Sequence, residues 1–309
     1  MGDKYLIFGF STDCPIPLPE AYPAQPHTAT DVTVISGTAG EGFPTDDIFE
    51  LVREKRYWWQ RTQDECHMMF NCPAGLFEIR DGNTIIMQLY PDADNELAKI
   101  YLLGSAMGAI QVQRGRIPIH GGAVVTPRGA MIITGGQGAG KSTMTSAFVY
   151  NGYPYLTDDV SSIRIEGDNA IIVPAYPQRK LVRDACAPLG YAPEDLVLVD
   201  GERDKFAVRD IENWCLEPTK LWAIAEIYPV ERGEEISVSQ VKGRDMLDCV
   251  TRNLYRLWMH VSNGGMKPEV FKKILTIAGQ TEVYRVRVPR GIENITGIAQ
   301  DIASALNIC

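Results

Sequence analysis

The chain has 309 residues, of which 45% are hydrophobic and 22% are charged, and its formal net charge is −9. A chain of this length and composition can bury a sizeable core, in one large domain or two modest ones. No run of 18 uninterrupted apolar residues occurs, so we expect no membrane span. The charge balance is acidic, so we do not expect general nucleic-acid binding.

Residues 1–92 predict a β-rich N-terminal region. Short runs typical of strands occur at 4–10, 31–36, 76–80 and 83–89. The Asp-Gly-Asn turn at 81–83 predicts a hairpin between the last two. A helix is predicted over 49–60, with a Tyr-Trp-Trp cluster at its end. For these aromatic residues, packing at a domain interface and peptide binding both remain open.

The chain is predicted to divide near residue 93, shortly before a helical apolar pattern over 95–112. Beyond it, residues 117–125 predict a strand that carries His120. A Pro-Arg-Gly turn then leads into a second apolar strand at 130–134, which predicts a hairpin. A lone histidine is more often structural than catalytic. A catalytic role for His120 therefore depends on the glycine-rich run and the acid pair that follow the second strand.

The glycine-rich run GGQGAGKST at 135–143 fills the pattern G-x-x-x-x-G-K-[ST]. Its glycines allow the backbone to surround phosphate oxygens with N–H groups. Lys141 can reach the outer phosphates and the Ser142 hydroxyl can ligate Mg²⁺, while a helix over 141–150 adds its positive N-terminal end. An ordinary glycine-rich turn is the alternative. We predict that ATP and Mg²⁺ are the cofactors, with the nucleotide held by Gly136, Gly138, Ala139, Gly140, Lys141, Ser142 and Thr143.

Asp158 and Asp159 follow a short predicted strand at 155–157. The distance from Lys141 leaves room for one helix, one tight turn and one strand, which is a minimal β-α-β crossover that returns the acids to the phosphate loop. Two adjacent carboxylates repel each other unless a cation such as Mg²⁺ is present. Asp158 and Ser142 are therefore predicted metal ligands, and Asp159, tuned by His120, is predicted to accept a hydroxyl proton. These two roles are open to exchange, and a solvated acidic turn is the alternative.

A hairpin is predicted from 161–165 and 170–173, followed by a basic loop at 179–183. Phosphoryl transfer requires cations, because negative charge spreads over the transferring oxygens. The candidate cations are Arg179, Lys180, Arg183 and Lys205, and a surface charge cluster is the alternative for each. The remaining predicted elements are strands at 220–228, 236–241 and 282–288, and helices at 244–262, 268–277 and 291–306.

The seven cysteines are odd in number and scattered, so they do not indicate a disulfide framework. Reduced thiols are typical of the cytoplasm, and the N-terminus lacks the basic start and apolar core of a signal peptide. We therefore expect a cytoplasmic protein. The sequence leaves open whether it forms a homo-oligomer.

The run IHGGAVVTPRGAMIITGGQGAGKST, followed by NGYPYLTDDV, is similar to the catalytic core of the HPr kinase/phosphorylase family. That family shares its nucleotide-binding architecture with phosphoenolpyruvate carboxykinase. The close similarity covers residues 117–165. A looser one covers nearly the whole chain, because YLIFGF at 5–10 and YPQRKL at 176–181 resemble segments of stand-alone HPr-kinase-like serine kinases.

The resemblance implies an α/β fold, with an HPr-kinase-like P-loop catalytic domain at 93–309 after the β-rich region. It also implies an ATP-dependent serine kinase with a peptide substrate, since this branch includes kinases of lasso-peptide clusters that modify the C-terminal serine of a precursor. Residues 1–92 would then supply one wall of the peptide site. The Arg-Gly-rich signature of true HPr kinase/phosphorylases is missing after the acid pair, which argues against HPr as the substrate. A small-molecule kinase or carboxykinase-like enzyme and a nucleotide-gated binding module remain open.

Overall fold

The computed structural model describes residues 2–25, 27–40, 58–62, 66–200, 204–262, 265–290 and 294–309. It is an α/β protein that divides into two compact units, Met1–Arg116 and Ile117–Cys309. Within the described ranges, no helix combines the length and the apolar character needed to cross a bilayer.

The first unit is built on an eight-stranded mixed sheet, which confirms the expected β-rich character of this region. In chain order its strands are β1 (Asp3–Ile7), β2 (Phe10–Cys14), β3 (Tyr22–Pro23), β4 (Val32–Ser36), β5 (Trp58–Arg61), β6 (His67–Cys72), β7 (Gly75–Arg80) and β8 (Thr84–Leu89). Their order across the sheet is β3-β1-β2-β4-β8-β7-β6-β5. The predicted hairpin is present between β7 and β8, where Asp81 and Gly82 have φ of 52° and 64°, as a tight hairpin turn requires.

Two predictions in the first unit are wrong. The single strand expected at 4–10 is broken at Phe8 and Gly9, whose φ values of 51° and 69° turn the chain so that β1 and β2 pair as a hairpin. The end of the helix expected over 49–60 is strand β5, because residues 58–61 take their backbone partners from β6. Aromatic residues favour such a ladder. The earlier part of that helix lies outside the described residues.

A helical segment follows β8, as the apolar pattern over 95–112 predicts. It consists of α1 (Asn95–Tyr101), a π-helical turn (Leu102–Ala106) and α2 (Met107–Gln113). Side chains at its end bind the sheet, since the Gln113 amide accepts from the Gly82 N–H at 2.8 Å and Arg114 Nε donates to the Gly82 carbonyl at 2.7 Å. These bonds join the segment to the first unit. The boundary between the two units along the chain therefore falls between Arg116 and Ile117 and not near residue 93.

The second unit contains three sheets and five helices among its described residues. Its strands are β9 (Ile117–Thr126), β10 (Gly129–Gly135), β11 (Tyr155–Thr157), β12 (Val160–Glu166), β13 (Asn169–Val173), β14 (Gln178–Val182), β15 (Val197–Asp200), β16 (Lys205–Arg209), β17 (Thr219–Val230), β18 (Ser237–Val241), β19 (Val261–Ser262), β20 (Gly265–Met266) and β21 (Glu282–Pro289). Its helices are α3 (Lys141–Tyr150), α4 (Arg183–Cys186), α5 (Arg244–Arg252), α6 (Pro268–Gln280) and α7 (Ile295–Ala305).

The main sheet of this unit has the order β10-β9-β12-β13-β17-β21-β18, and β11 pairs with the free stretch of β9. Strand β10 pairs with β17 as well as with β9, so β9, β10, β12, β13 and β17 form a closed ring of pairings. The core between this sheet and helices α5 and α6 is aliphatic, with fully buried residues such as Ile132, Ile163 and Ile274. Strands β10 and β17 pair in parallel, so their carboxyl ends lie side by side.

Most elements predicted for this unit are confirmed with small shifts of their ends, but two are wrong. The segment 179–183 is not a loop, since residues 178–182 form β14 and pair with β16. The helix expected over 244–262 ends at Arg252. There Leu254 forms a bridge with Ile119, and the Tyr255 N–H bonds the Pro118 carbonyl, so pairing with β9 replaces helical bonds.

His260 lies in the segment that follows this helix and is fully buried, and burial lowers its pKa to about 4. The unfolded chain therefore binds more protons than the folded one between pH 6.5 and 4. We expect His260 to leave stability intact above pH 6.5 and to remove roughly 3 kcal/mol of it as the pH falls through 4. Denaturant unfolding at pH 7 and pH 4 should show a smaller acid loss in His260→Phe than in the wild type. The exposed-site variant His27→Gln should keep the wild-type loss, and equal losses in all three proteins would contradict the expectation.

Candidate active site

The glycine-rich segment forms the connection from β10 to α3. Gly138 and Gly140 have φ of 73° and 89°, in the left-handed region that favours glycine. Gly140 is the N-cap of α3 and has no side chain with which to bond the first-turn N–H groups. A Cβ added at Gly136, Gly138 or Gly140 would meet no atom within 4 Å. There is thus open space around these glycines at the N-terminus of α3, and a helix N-terminus suits an anion.

Lys141 begins α3 and folds back over this loop. Its Nζ donates to the carbonyls of Gly135 and Gly136, both at 3.1 Å. Burial lowers the pKa of Lys141, and Asp159 partly opposes that shift. Ser142 and Thr143 follow in the first turn and are half-buried. The predicted phosphate-contacting residues are thus gathered at one end of α3.

The acid pair lies directly beside the hairpin of β9 and β10. Strands β11 and β12 both pair with β9, and the intervening acids stand opposite Gly121 and Gly122. The Gly121 N–H donates to the Asp159 carbonyl at 2.9 Å. A Cβ on Gly122 would lie 2.3 Å from Thr145 Oγ1 of α3 and 3.0 Å from the Asp158 carbonyl. A glycine at 122 therefore allows α3 and the acid pair to pack against the same strand.

Asp158 is buried, and its two oxygens differ. Oδ2 accepts the Lys180 backbone N–H at 2.9 Å. Oδ1 is buried and has no hydrogen-bond partner among the described residues. Burial raises the pKa of Asp158 to about 6. A buried carboxylate oxygen without a partner is costly, so this atom marks a place that a cation would stabilise.

Asp159 is more accessible, with its side chain 36% exposed. One oxygen lies 3.6 Å from His120 Nδ1 and the other 3.6 Å from Lys180 Nζ. Partial burial raises the pKa of Asp159, but Lys180, His120, Lys205 and Lys141 outweigh it and bring the pKa to about 2. Burial lowers the pKa of His120, so near neutral pH the imidazole is uncharged and Lys180 provides the nearest positive charge. The carboxylate is therefore ionised and held from both sides.

Strand alternation separates Arg179 and Lys180, the two candidate cations of β14, while Arg183 begins α4. Arg179 is buried, and its Nη2 donates to Asp210 at 2.7 Å and to the Tyr191 hydroxyl at 2.9 Å. Arg183 is exposed and forms a two-pronged pair with Asp204. The structure thus brings Lys180 to the acid pair, whereas Arg179 and Arg183 are bound to other acids. The catalytic roles expected for these two arginines remain predictions, although Arg179 does help to lower the pKa of Asp158 against the effect of burial.

This arrangement predicts that Arg179 matters for folding more than for turnover. Breaking a buried ion pair by removing one partner costs about 3 kcal/mol or more, whereas an exposed pair contributes less than about 1 kcal/mol. We expect Arg179→Met to lower the free energy of unfolding by roughly 3 kcal/mol and Arg183→Ala to leave it almost unchanged. Denaturant unfolding of both variants measures this directly. Equal stabilities would show that the Asp210 pair is not a structural contact of the fold.

A further charged cluster next to the site was missed by the sequence reasoning. Glu226 lies in β17 opposite Thr134, the residue before the glycine-rich segment. It is buried and accepts hydrogen bonds from Arg252 and Asn253. The signal was present, since Glu226 interrupts the apolar run LWAIAEIY, but one acid inside a strand has no motif to identify it.

The residues present fit Mg²⁺ bound together with a phosphate ligand. Among the described residues, no group of three His, Cys, Asp or Glu side chains could hold a metal by itself. Mg²⁺ in phosphate-transfer sites takes one or two protein ligands and completes its shell with phosphate oxygens and water. The partnerless oxygen of Asp158 and the Ser142 hydroxyl, at the start of α3, are of this oxygen-donor kind.

Comparison with solved structures gives a match to the HPr(Ser) kinase/phosphatase from Coxiella burnetii. The TM-score is 0.31 and the identity 11%, over 62% of this chain and 98% of that chain. No protein-family model and no curated protein matches the sequence. A likeness with this TM-score carries no inference about activity, so a function must be sought in the residues of the site.

Proposed function

We propose that this protein is an ATP-dependent kinase that transfers the γ-phosphate to a serine hydroxyl of a peptide. The observation that carries the proposal is the placement of an ionised carboxylate, Asp159, between His120 and Lys180 at 3.6 Å from each. The acid pair and the glycine-rich loop lie at the same end of the β9–β10 hairpin. A site that only bound nucleotide would not need this second set of charged groups.

The different exposure of the two acids supports a division of roles. Asp159 is accessible, so a serine hydroxyl of a large substrate can approach it and donate its proton there. Asp158 is buried with one oxygen lacking a partner, so with Ser142 it would hold Mg²⁺, whose charge counters that of the transferring phosphate. The pKa of Asp158, raised to about 6, would suit a base, but burial keeps a peptide hydroxyl away from it.

The remaining groups would bind and orient the phosphates. The open N–H groups at the start of α3 would bind the nucleotide phosphates, and Lys141 would turn from its loop carbonyls towards the outer ones. Lys180 would lie close enough to Asp159 to neutralise charge near the transferring group. Little covalent chemistry is required of the protein in such a reaction, so positioning and charge stabilisation account for most of the rate.

The peptide acceptor, and in particular the C-terminal serine of a lasso-peptide precursor, is supported by the resemblance of segments along the whole chain to stand-alone serine kinases. The missing Arg-Gly-rich signature also argues against HPr as the acceptor. A small-molecule kinase differs in its acceptor alone and is tested by the same experiment.

Mass spectrometry after incubation with ATP and Mg²⁺ tests the acceptor. The panel contains peptides ending in serine, the same peptides with a C-terminal Ser→Ala change or an amidated end, HPr and free serine. Phosphate is expected on the peptides ending in serine and should be absent after Ser→Ala. Asp159→Asn enzyme provides the matched control for contaminating kinases. Phosphate on free serine or HPr and never on a peptide would overturn the peptide assignment, and no transfer to any acceptor would overturn the kinase.

A further inference from the structure

The cluster around Glu226 connects to the candidate active site through the backbone of β9. Glu226 is 3% exposed, and its carboxylate receives Arg252 Nε at 2.7 Å and Asn253 Nδ2 at 2.8 Å. Burial raises the pKa of Glu226, but hydrogen bonds from Arg252 and Asn253 outweigh it and lower the pKa overall. The carboxylate is therefore charged and hydrogen-bonded within β17.

Glu226 is buried whereas the Arg252 side chain is 41% exposed, and the desolvation of the buried carboxylate offsets much of the attraction between the two charges. An apolar side chain at 226 would match the rest of the run LWAIAEIY. The role of the Glu226–Arg252 pair must therefore lie in the residues that it holds in place. Its partners, Arg252 and Asn253, stand where α5 ends and the chain turns to run beside β9.

Two backbone hydrogen bonds, which together form one antiparallel bridge, and one ring contact tie that turn to the strand that carries the candidate histidine. The Asn253 carbonyl accepts the His120 N–H at 2.8 Å. Leu254 forms a bridge with Ile119, and the Tyr255 N–H donates to the Pro118 carbonyl at 2.9 Å. The Tyr255 ring lies 5.9 Å from the His120 ring. Glu226 thus reaches His120 through one residue, Asn253, which bonds the carboxylate with its side chain and the histidine with its backbone.

The contact from His120 to Asp159 is long enough to depend on such support. Nδ1 of His120 is buried, has no hydrogen-bond partner among the described residues, and stands 3.6 Å from Asp159. Catalytic hydrogen bonds of this kind often tighten only when substrate is bound. A small displacement of β9 at His120 would move the imidazole out of reach.

We propose that Glu226 is a positioning residue, which holds His120 against Asp159 through Asn253. The inference rests on the proposed function for its effect on catalysis, but the link from Glu226 to His120 is a property of the protein alone. It therefore has a readout that does not need a substrate.

The test is NMR of histidine-labelled protein, with the His120 imidazole signals assigned by their loss in His120→Ala. We expect Glu226→Gln to shift these signals, because the amide cannot reproduce the charged pair with Arg252. Glu282→Gln is the matched control. Glu282 lies at the start of β21, pairs with Arg128 and is partly exposed, so its change should leave His120 unmoved. Unshifted His120 signals in Glu226→Gln would overturn the proposal.

Asn253→Ala keeps the test decisive if Glu226→Gln does not fold, since it leaves the ion pair with Arg252 in place. It removes the amide bonds to Glu226 and to the Cys249 carbonyl, which breaks the link through which Glu226 acts, and should therefore shift the same signals. An unmoved His120 in this variant would likewise overturn the proposal.

Activity adds a second readout through a double-mutant cycle. Glu226→Gln is expected to lower kcat about 10-fold with little change in KM for ATP, and to cost almost nothing further in a His120→Ala background. Additive losses would mean that Glu226 acts independently of His120 and would overturn the link. If the wild type transfers no phosphate while the NMR shifts appear, the positioning link stands and the proposed function fails.

Discussion

Asp159→Asn is expected to lower the rate of phosphoryl transfer by about 10³-fold, because Asn keeps the shape of the side chain and removes its charge and basicity. Asp158→Asn should cause a comparable loss for a different reason, since it removes a charged oxygen donor from the buried cation position. Only this second loss should be partly restored by excess Mg²⁺. Single-turnover transfer measured over a range of Mg²⁺ concentrations separates the two effects.

Asp204→Asn is the matched control, because Asp204 is an exposed acid whose partner is Arg183 on the surface. Its rate should equal that of the wild type at every Mg²⁺ concentration. Rescue of Asp159→Asn, and not of Asp158→Asn, would show that the two acids exchange roles. Two active Asn variants would mean that this pair is not the catalytic centre.

Lys141→Ala is expected to abolish transfer, by about 10³-fold or more, while the protein remains folded. The ammonium bonds only the carbonyls of the adjoining loop among the described hydrogen bonds, so its loss removes no core contact. It is also the one side-chain cation that begins α3, beside the open glycine-rich loop. Nucleotide binding, transfer rate and thermal melting of the variant are the measurements.

Lys220→Ala, an exposed change at the start of β17, controls for the loss of one positive charge. It should match the wild type in all three measurements. Wild-type transfer by folded Lys141→Ala would contradict the assignment of the loop as a phosphate site. A melting temperature far below the wild type would instead show that Lys141 supports the fold.

Local signals were sufficient wherever a short stretch of chain decides the outcome. The order strand, glycine-rich loop, helix, strand and acid pair follows from residues 130–159, because glycines, apolar runs and turn residues act on their neighbours. The hairpin at 81–83 is of the same kind. The sequence also predicted His120 and the acid pair as members of one candidate site, but it named Lys180 only as one of four candidate cations beside Arg179, Arg183 and Lys205.

Local signals failed where distant partners compete for the backbone. Residues 254 and 255 continue a helical pattern, but β9 offers them better-placed partners and the helix ends at Arg252. The basic segment 179–183 predicts a loop, whereas pairing with β16 makes residues 178–182 a strand. Intrinsic preferences amount to a few tenths of a kcal/mol per residue, so a complete ladder of hydrogen bonds overrides them.

The sequence by itself determined which residue types this protein has for the proposed phosphate chemistry, and in what order along the chain. Only the tertiary structure decided which of the basic residues meets the acids. Strand alternation sends the side chains of Arg179 and Lys180 to opposite faces of β14, and only one face adjoins Asp159. The same holds for Glu226 and Asn253, which are far from His120 in sequence and are joined to it because β17 and β9 flank the same strand. Such contacts depend on register between distant strands, which no local pattern specifies.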